Sequence, residues 1–482
     1  MGSRAGQFRW FRVGGSVTQT GVLDIQRTVV LTAHPLQRVG AFALVELVKV
    51  EHPDQLSPEK FDEATGVMAR HLLGTVDVDS SKDPGGFWLA ASYLFWPNSP
   101  MNPTNRKKQS PQERRDRIRQ WRALPDRAEW PEVPCSLCGR AACGYYGKAD
   151  VPLGASTAYR NTTPPGHAGL ALCSACVSSF HALPYGCQIG GGRAAALHSW
   201  NEDFLQGSVS VQVARTLQQA MVGAGPATPS PYWREVTALR RLGRHRRPLS
   251  AGVELIVFRN INNDQALEEY TMDQPLAEWL RSTVRDPRRQ DGFRYLARAH
   301  RTKNVPGTAM LARHAFHAPQ QVLRRVVTFL RAVLAEHPAV PGEVAHLAPL
   351  SLSYAIEVLQ VNEKDVDRIR QLAEHIAETL APHRERGVIK GYENAHRESR
   401  RLQEWLQKRA VSWALTRPGG RAEPFVTSDQ WRLLFDPDGR SWLHQDLLFI
   451  AVLEQLHQSG WRADDAATRD DLDDDLIAEE NQ

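Results

Sequence analysis

Hydrophobic positions change period along this chain, and the change divides it. Over residues 15–32, Val17, Val22, Leu23, Ile25 and then Val29, Val30 and Leu31 alternate loosely, the two-residue period of a strand pair. Pro35 then opens an apolar stretch running to Val45, which predicts a buried helix with proline in its first turn. A second helix is expected over 58–73. Residues 88–96 form an aromatic run, and Pro97, Pro100 and Pro103 follow among Asn98, Ser99, Asn102, Thr104 and Asn105. Three prolines so close predict a loop, because each lacks an N–H and fixes φ. An arginine-rich helix is expected over 111–124, a short helix near 194–204, a loop over 223–231 and a strand over 253–258.

From about residue 312 the period becomes helical. Val322, Val326, Leu330 and Val333 recur at that spacing, as do Val366, Ile369, Leu372, Ile376 and Leu380 behind an Asn362 cap. Helices over 392–416 and 441–459 extend the set, and Thr427 with Gln430 has the form of a capping box. The expected class is α+β: a mixed N-terminal domain with an inserted four-cysteine zinc-finger region and a C-terminal α-helical bundle. The expected divisions are 1–134, 135–190, 191–310, 311–460 and a disordered acidic tail over 461–482.

Composition narrows the class. The 482 residues carry 59 Lys+Arg against 54 Asp+Glu, a net +5. Residues 461–482 hold Arg462 and Arg469 against nine acids, about −7, so the remainder carries about +12. No apolar stretch approaches the roughly 20 residues a spanning helix needs, so no membrane partner is expected. The first residues lack the apolar core of a signal peptide, and a cytoplasmic location is expected.

All six cysteines fall between Cys135 and Cys187. Cys135-x-x-Cys138 and Cys173-x-x-Cys176 are two knuckles of the kind that converge four thiolates on a structural Zn2+, leaving no open position for catalysis. Cys143 and Cys187 are surplus and read as small buried side chains. A rival reading takes His167 and His181 as histidines of a zinc-containing HNH-like nuclease, although Pro164-Pro165-Gly166-His167-Ala168-Gly169 lacks the acid such a site uses. No P-loop, dinucleotide fingerprint, G-x-S-x-G or H-E-x-x-H occurs, and no catalytic residue is expected.

Cationic clusters are the other chemistry. Arg106, Lys107 and Lys108 follow the proline loop, whose Asn98, Asn102 and Asn105 could contact base edges; arginines at 114–122 and 240–247 follow. Arg397, Arg400, Arg401, Lys408 and Arg409 lie in the helical third beside tryptophans that could stack on bases.

Several segments together resemble one family, the large subunit of the type I CRISPR surveillance complex, Cascade, in its zinc-containing, type I-B-like branch. They are Ala33-His34-Pro35-Leu36-Gln37-Arg38-Val39-Gly40, Tyr93-Leu94-Phe95-Trp96-Pro97-Asn98-Ser99-Pro100, the paired knuckles, Leu183-Pro184-Tyr185-Gly186 with Gly191-Gly192-Arg193, Leu197-His198-Ser199, and Phe258-Arg259-Asn260. The resemblance implies a prokaryotic, non-enzymatic, crRNA-guided antiviral role. Such a subunit recognises the protospacer-adjacent motif on duplex DNA, aids strand opening into an R-loop and holds the displaced strand. Its implied partners are the crRNA-bound backbone and crRNA-end subunits, the double-stranded target with its displaced single strand, and a separate effector helicase-nuclease. Residues 98–108 would then contact the motif and Arg397 to Arg409 the displaced strand, while guide pairing supplies sequence discrimination. A structural adaptor that binds only protein remains the third reading.

Overall fold

His34 and Pro35 start helix α1 (Pro35–Glu46): the His34 Nδ1 accepts the Gln37 N–H, and proline occupies a position whose N–H would have no partner. The computed structural model describes residues 24–154, 169–222, 230–261, 264–337, 339–416, 423–437 and 439–463. It divides into two compact units, one of residues 1–198, 202–228 and 256–268, the other of 199–201, 229–255 and 269–482. No helix among the described residues is long and apolar enough to cross a membrane.

In the first unit, α1 is followed by α2 (Pro58–Leu73), α3 (Phe87–Phe95), α4 (Pro111–Arg122), α5 (Ser174–Gly186) and α6 (Glu202–Val222). Helix α1 is buried from Leu36 to Val45 and packs against α5. Their approach depends on Gly40, where a Cβ would sit 1.9 Å from the Ser179 carbonyl oxygen. Gln37 is fully buried, and every polar atom of its amide is used: Oε1 accepts from the Thr32 N–H and hydroxyl, and Nε2 donates to Val30 O and Ser179 Oγ.

Strands β1 (Gly144–Tyr146) and β2 (Leu170–Leu172) pair antiparallel. Strands β3 (Gln188–Gly190), β4 (Arg193–His198), β5 (Val253–Ile261) and β6 (Asp264–Met272) form a sheet in that order, and β5 and β6 each carry residues of both units. In the second unit, α7 (Trp233–Arg244) precedes ten further helices: α8 (Gln274–Arg285), α9 (Gln290–Ala299), α10 (Gly307–His317), α11 (Gln321–Glu336), α12 (Val344–Glu357), α13 (Glu363–Leu380), α14 (Arg386–His396), α15 (Ser399–Thr416), α16 (Ser428–Phe435) and α17 (Ser441–Gln458). The mixed α+β class with a helical C-terminal region stands. The expected helical stripes face inward: Val366, Ile369, Leu372, Ile376 and Leu380 of α13 are all buried, and α13 packs on α17. Asn362 caps α13 and the Thr427–Gln430 capping box is present.

Four local expectations are corrected. Residues 24–27 are helical and 28–32 take no strand pairing among the described residues; residues 15–23 of the expected strand pair lie outside the described residues. Residues 193–198 are strand β4, not the start of a helix. Ala194, Ala195 and Ala196 favour helix in isolation, but Gly191 and Gly192, both at positive φ, turn the chain so that Ala195 pairs with Gln188. Pro103 opens a helical turn (Pro103–Arg106) inside the expected loop, the one helical position that tolerates it. The expected helix over 392–416 is broken into α14 and α15 beside His396, whose two ring nitrogens bond Arg331 and the Gln445 carbonyl. The acidic segment falls almost wholly outside the described residues.

Candidate metal centre

Both knuckles are shaped by backbone hydrogen bonds before any side chain converges. In the first, Pro134 bridges Ala141, the Gly139 N–H returns to Cys135 O at 2.9 Å, and Gly139 takes a φ of 75° that a side chain would strain. In the second, Cys173 follows β2 directly and is the N-cap of α5, which places Cys176 in the helix's first turn. The halves are tied by the Ser136 N–H to Ala171 O and the Cys143 N–H to Leu172 O, each 2.8 Å.

The four Sγ atoms of Cys135, Cys138, Cys173 and Cys176 lie within 4.8 Å of one another, and Cys138 Sγ is 3.5 Å from Cys173 Sγ. Three of the residues are buried and Cys138 is half-buried. Crowding makes their ionisation unequal. The Cys135 thiolate is held far below the usual range because Cys138, Cys173 and Cys176 can all donate to it. Cys176 is driven up by the same neighbours. A cation among the sulfurs removes this conflict, since all four can then ionise. Among the described residues this is the one group of three or more His, Cys, Asp or Glu side chains so placed, and it can hold a metal ion.

Gln26 was not legible as part of this centre. It is 1% exposed, its Nε2 donates to Ala141 O and its Oε1 accepts the Ser174 N–H, so one amide clamps the two knuckles together. Arg140 adds a bond from Nη1 to Ile25 O at 3.1 Å. Neither follows a periodicity or motif, because both act across more than 100 residues.

The surplus cysteines stay apart. Cys143 is buried with its Sγ 3.2 Å from Tyr146 Oη, and Cys187 is buried; burial raises both thiols. His181 is buried inside the first unit. Its Nε2 meets Asp150 Oδ1 at 3.1 Å, Trp121 Nε1 donates to the same oxygen, and burial with the nearby Arg122 guanidinium lowers the imidazole to about 4. His167 lies outside the described residues.

The cationic candidates divide. Asn102 donates from its side chain to Pro97 O, and Asn105 to Ser99 O at 3.1 Å, which folds the loop on itself. Arg106 is 6% exposed, and its Nη2 donates to the carbonyls of Thr75, Val76 and Val78 at 2.8, 2.8 and 3.1 Å. Asn98 is half-buried, whereas Lys107 and Lys108 are exposed. In the second unit Arg397 pairs with Glu393, Arg400 with Glu404 and Arg401 with Glu398, each three or four residues away in sequence. Lys408 is exposed and the Arg409 guanidinium lies 5.2 Å from the Trp405 ring centroid. Comparison with protein families, with curated proteins and with solved structures returns no match.

Proposed function

We propose that this protein is a zinc-stapled, nucleic-acid-binding subunit without an active site of its own, of the Cascade large-subunit kind. The observation that carries the reading is the closed set of four thiols: tetrahedral Zn–S bonds of about 2.3 Å place sulfurs about 3.8 Å apart, close to the 3.5 Å between Cys138 and Cys173. Soft thiolates select zinc over hard cations, and a four-sulfur shell leaves no position for water or substrate. The metal supplies folding free energy, and the cysteine ligands that hold it orient strand β2 and helix α5.

Exposed cations then supply phosphate contacts. Lys107, Lys108 and the outer arginines of α4 serve one segment, and Lys408 and Arg409 with the Trp405 ring serve another, where charge and a stacking surface coincide. In the Cascade reading the first contacts duplex beside the protospacer-adjacent motif and the second the displaced strand. The crRNA-bound subunits place the chain, and a separate helicase-nuclease cuts.

The test uses the full chain with labelled duplex and single-stranded DNA, alone and with crRNA-bound backbone subunits. Elemental analysis should give about one zinc per chain. Lys107→Glu with Lys108→Glu should weaken duplex binding in the complex. Unchanged target binding by that variant favours the protein-only adaptor, and divalent-metal-dependent cleavage by the isolated chain overturns the non-enzymatic reading in favour of the nuclease.

A further inference from the structure

Helix α15 buries one face, while on another Val411 and Leu415 stand exposed. Leu402, Leu406 and Trp413 point inward, at 0, 0 and 7% exposure, while Val411 and Leu415 are 62 and 77% exposed. Val411 and Leu415 are four residues apart and continue the line through Glu404 and Lys408, so they form one stripe on the outer face. Large apolar side chains this exposed, with Lys408 one turn before them and exposed Arg400 and Arg401 about three turns before them on the same helix, mark a surface that something covers. Arg400 and Arg401 hold only exposed pairs three or four residues away in sequence, which are weak enough to be exchanged for another anion.

The same chain carries the complement. Asp470-Asp471-Leu472-Asp473-Asp474-Asp475-Leu476-Ile477-Ala478-Glu479-Glu480 sets two leucines four residues apart among seven acids. Its apolar spacing matches that of Val411 and Leu415, and its charge opposes that of those cations. Reach permits the contact. Trp461 Nε1 donates to His383 O, and the Trp413 ring of α15 lies 5.1 Å from that of His375, so the two anchor points are eight residues apart, five of those steps helical, and no more than about 18 Å apart. Eight residues lie between Ala463 and Leu472, nine steps that span up to about 30 Å.

We propose that residues 470–480 of this chain dock on the Lys408, Val411 and Leu415 stripe of α15, covering the surface assigned above to nucleic acid. The docking itself rests on apolar spacing, charge and reach; only its competition with nucleic acid rests on the functional reading. A strand or duplex then reaches α15 by displacing an internal polyanion, which disfavours short or weak encounters.

A photo-crosslinking residue in place of Ile477 of the full chain tests this, with products mapped by mass spectrometry. The expected result is an intramolecular crosslink into residues 400–415 that falls about tenfold in Leu472→Asp with Leu476→Asp and weakens with salt. A crosslink elsewhere, none, or one that forms between chains and rises with protein concentration overturns the proposal. Val411→Ser with Leu415→Ser, exposed and so compatible with folding, should reduce the crosslink comparably; an unchanged yield also overturns it. Displacement of the crosslink by a single-stranded oligonucleotide supports the nucleic-acid reading of α15, while a crosslink indifferent to DNA upholds the docking and counts against that reading.

Discussion

Residues 98–108 and helix α15 carry much the same polar and cationic chemistry, yet the fold uses them in opposite ways. The loop spends the amides of Asn102 and Asn105 on its own carbonyls and turns its first arginine inward, where they replace backbone hydrogen bonds that a proline-interrupted chain cannot make. Arg106 satisfies three carbonyls with one guanidinium nitrogen, while Asn105, Lys107 and Lys108 stay exposed. Helix α15 satisfies its own backbone, so its cations are free to face outward. Cationic density along a sequence therefore reports availability only where the local backbone does not need the charge itself.

The contrast breaks first at the metal. On the zinc reading proposed above, Cys173→Ser, or treatment with a chelator, should abolish cooperative melting of the first unit, because the apparent binding free energy of a four-ligand zinc site, about 10–16 kcal/mol, matches or exceeds the whole stability of a domain. Calorimetry with limited proteolysis would show new cleavage within residues 98–186 before any in α15. Arg106→Ala should cost about 3 kcal/mol in denaturant unfolding, since three buried carbonyls lose their donor, whereas Lys408→Ala should change stability by less than about 0.5 kcal/mol. Arg106→Lys should rescue little, because an ammonium cannot reproduce the planar fork.

Affinity should reverse that ranking. Lys408→Glu with Arg409→Glu should weaken single-strand binding about tenfold at low salt and reduce its salt dependence, by loss of phosphate contacts. Asn102→Ala and Asn105→Ala should instead lower stability by about 1 kcal/mol each. A further effect, confined to low pH, concerns a buried histidine. His396 is lowered to about 4 by burial and by Arg331, against an ordinary 6.5, so the unfolded chain binds a proton that the native state refuses. Its contribution is complete above pH 6.5 and is lost as pH falls from there toward 4, and His396→Gln should flatten the melting profile in that window.

Much of this was legible early. The helical stripes of α11 and α13, the caps at Asn362 and Thr427 and the two C-x-x-C knuckles all depend on contacts within a few residues, which local sequence encodes. What escaped depends on distant partners. Ala194 to Ala196 became strand because the glycine hairpin and the neighbouring strands outweigh alanine's helical preference, and Gln26 became a clamp because the fold brought it to Ala141 and Ser174.

The sequence by itself determined which atoms could bind metal and where helices would repeat, since ligand type and hydrophobic period are local properties. Only the tertiary structure decided that the four sulfurs converge, that Arg106 is a buried brace and that Lys408 and Arg409 of α15 stay at the surface. Whether a charged group faces water or a row of carbonyls is set by the desolvation balance of the whole unit, and no single segment contains that sum.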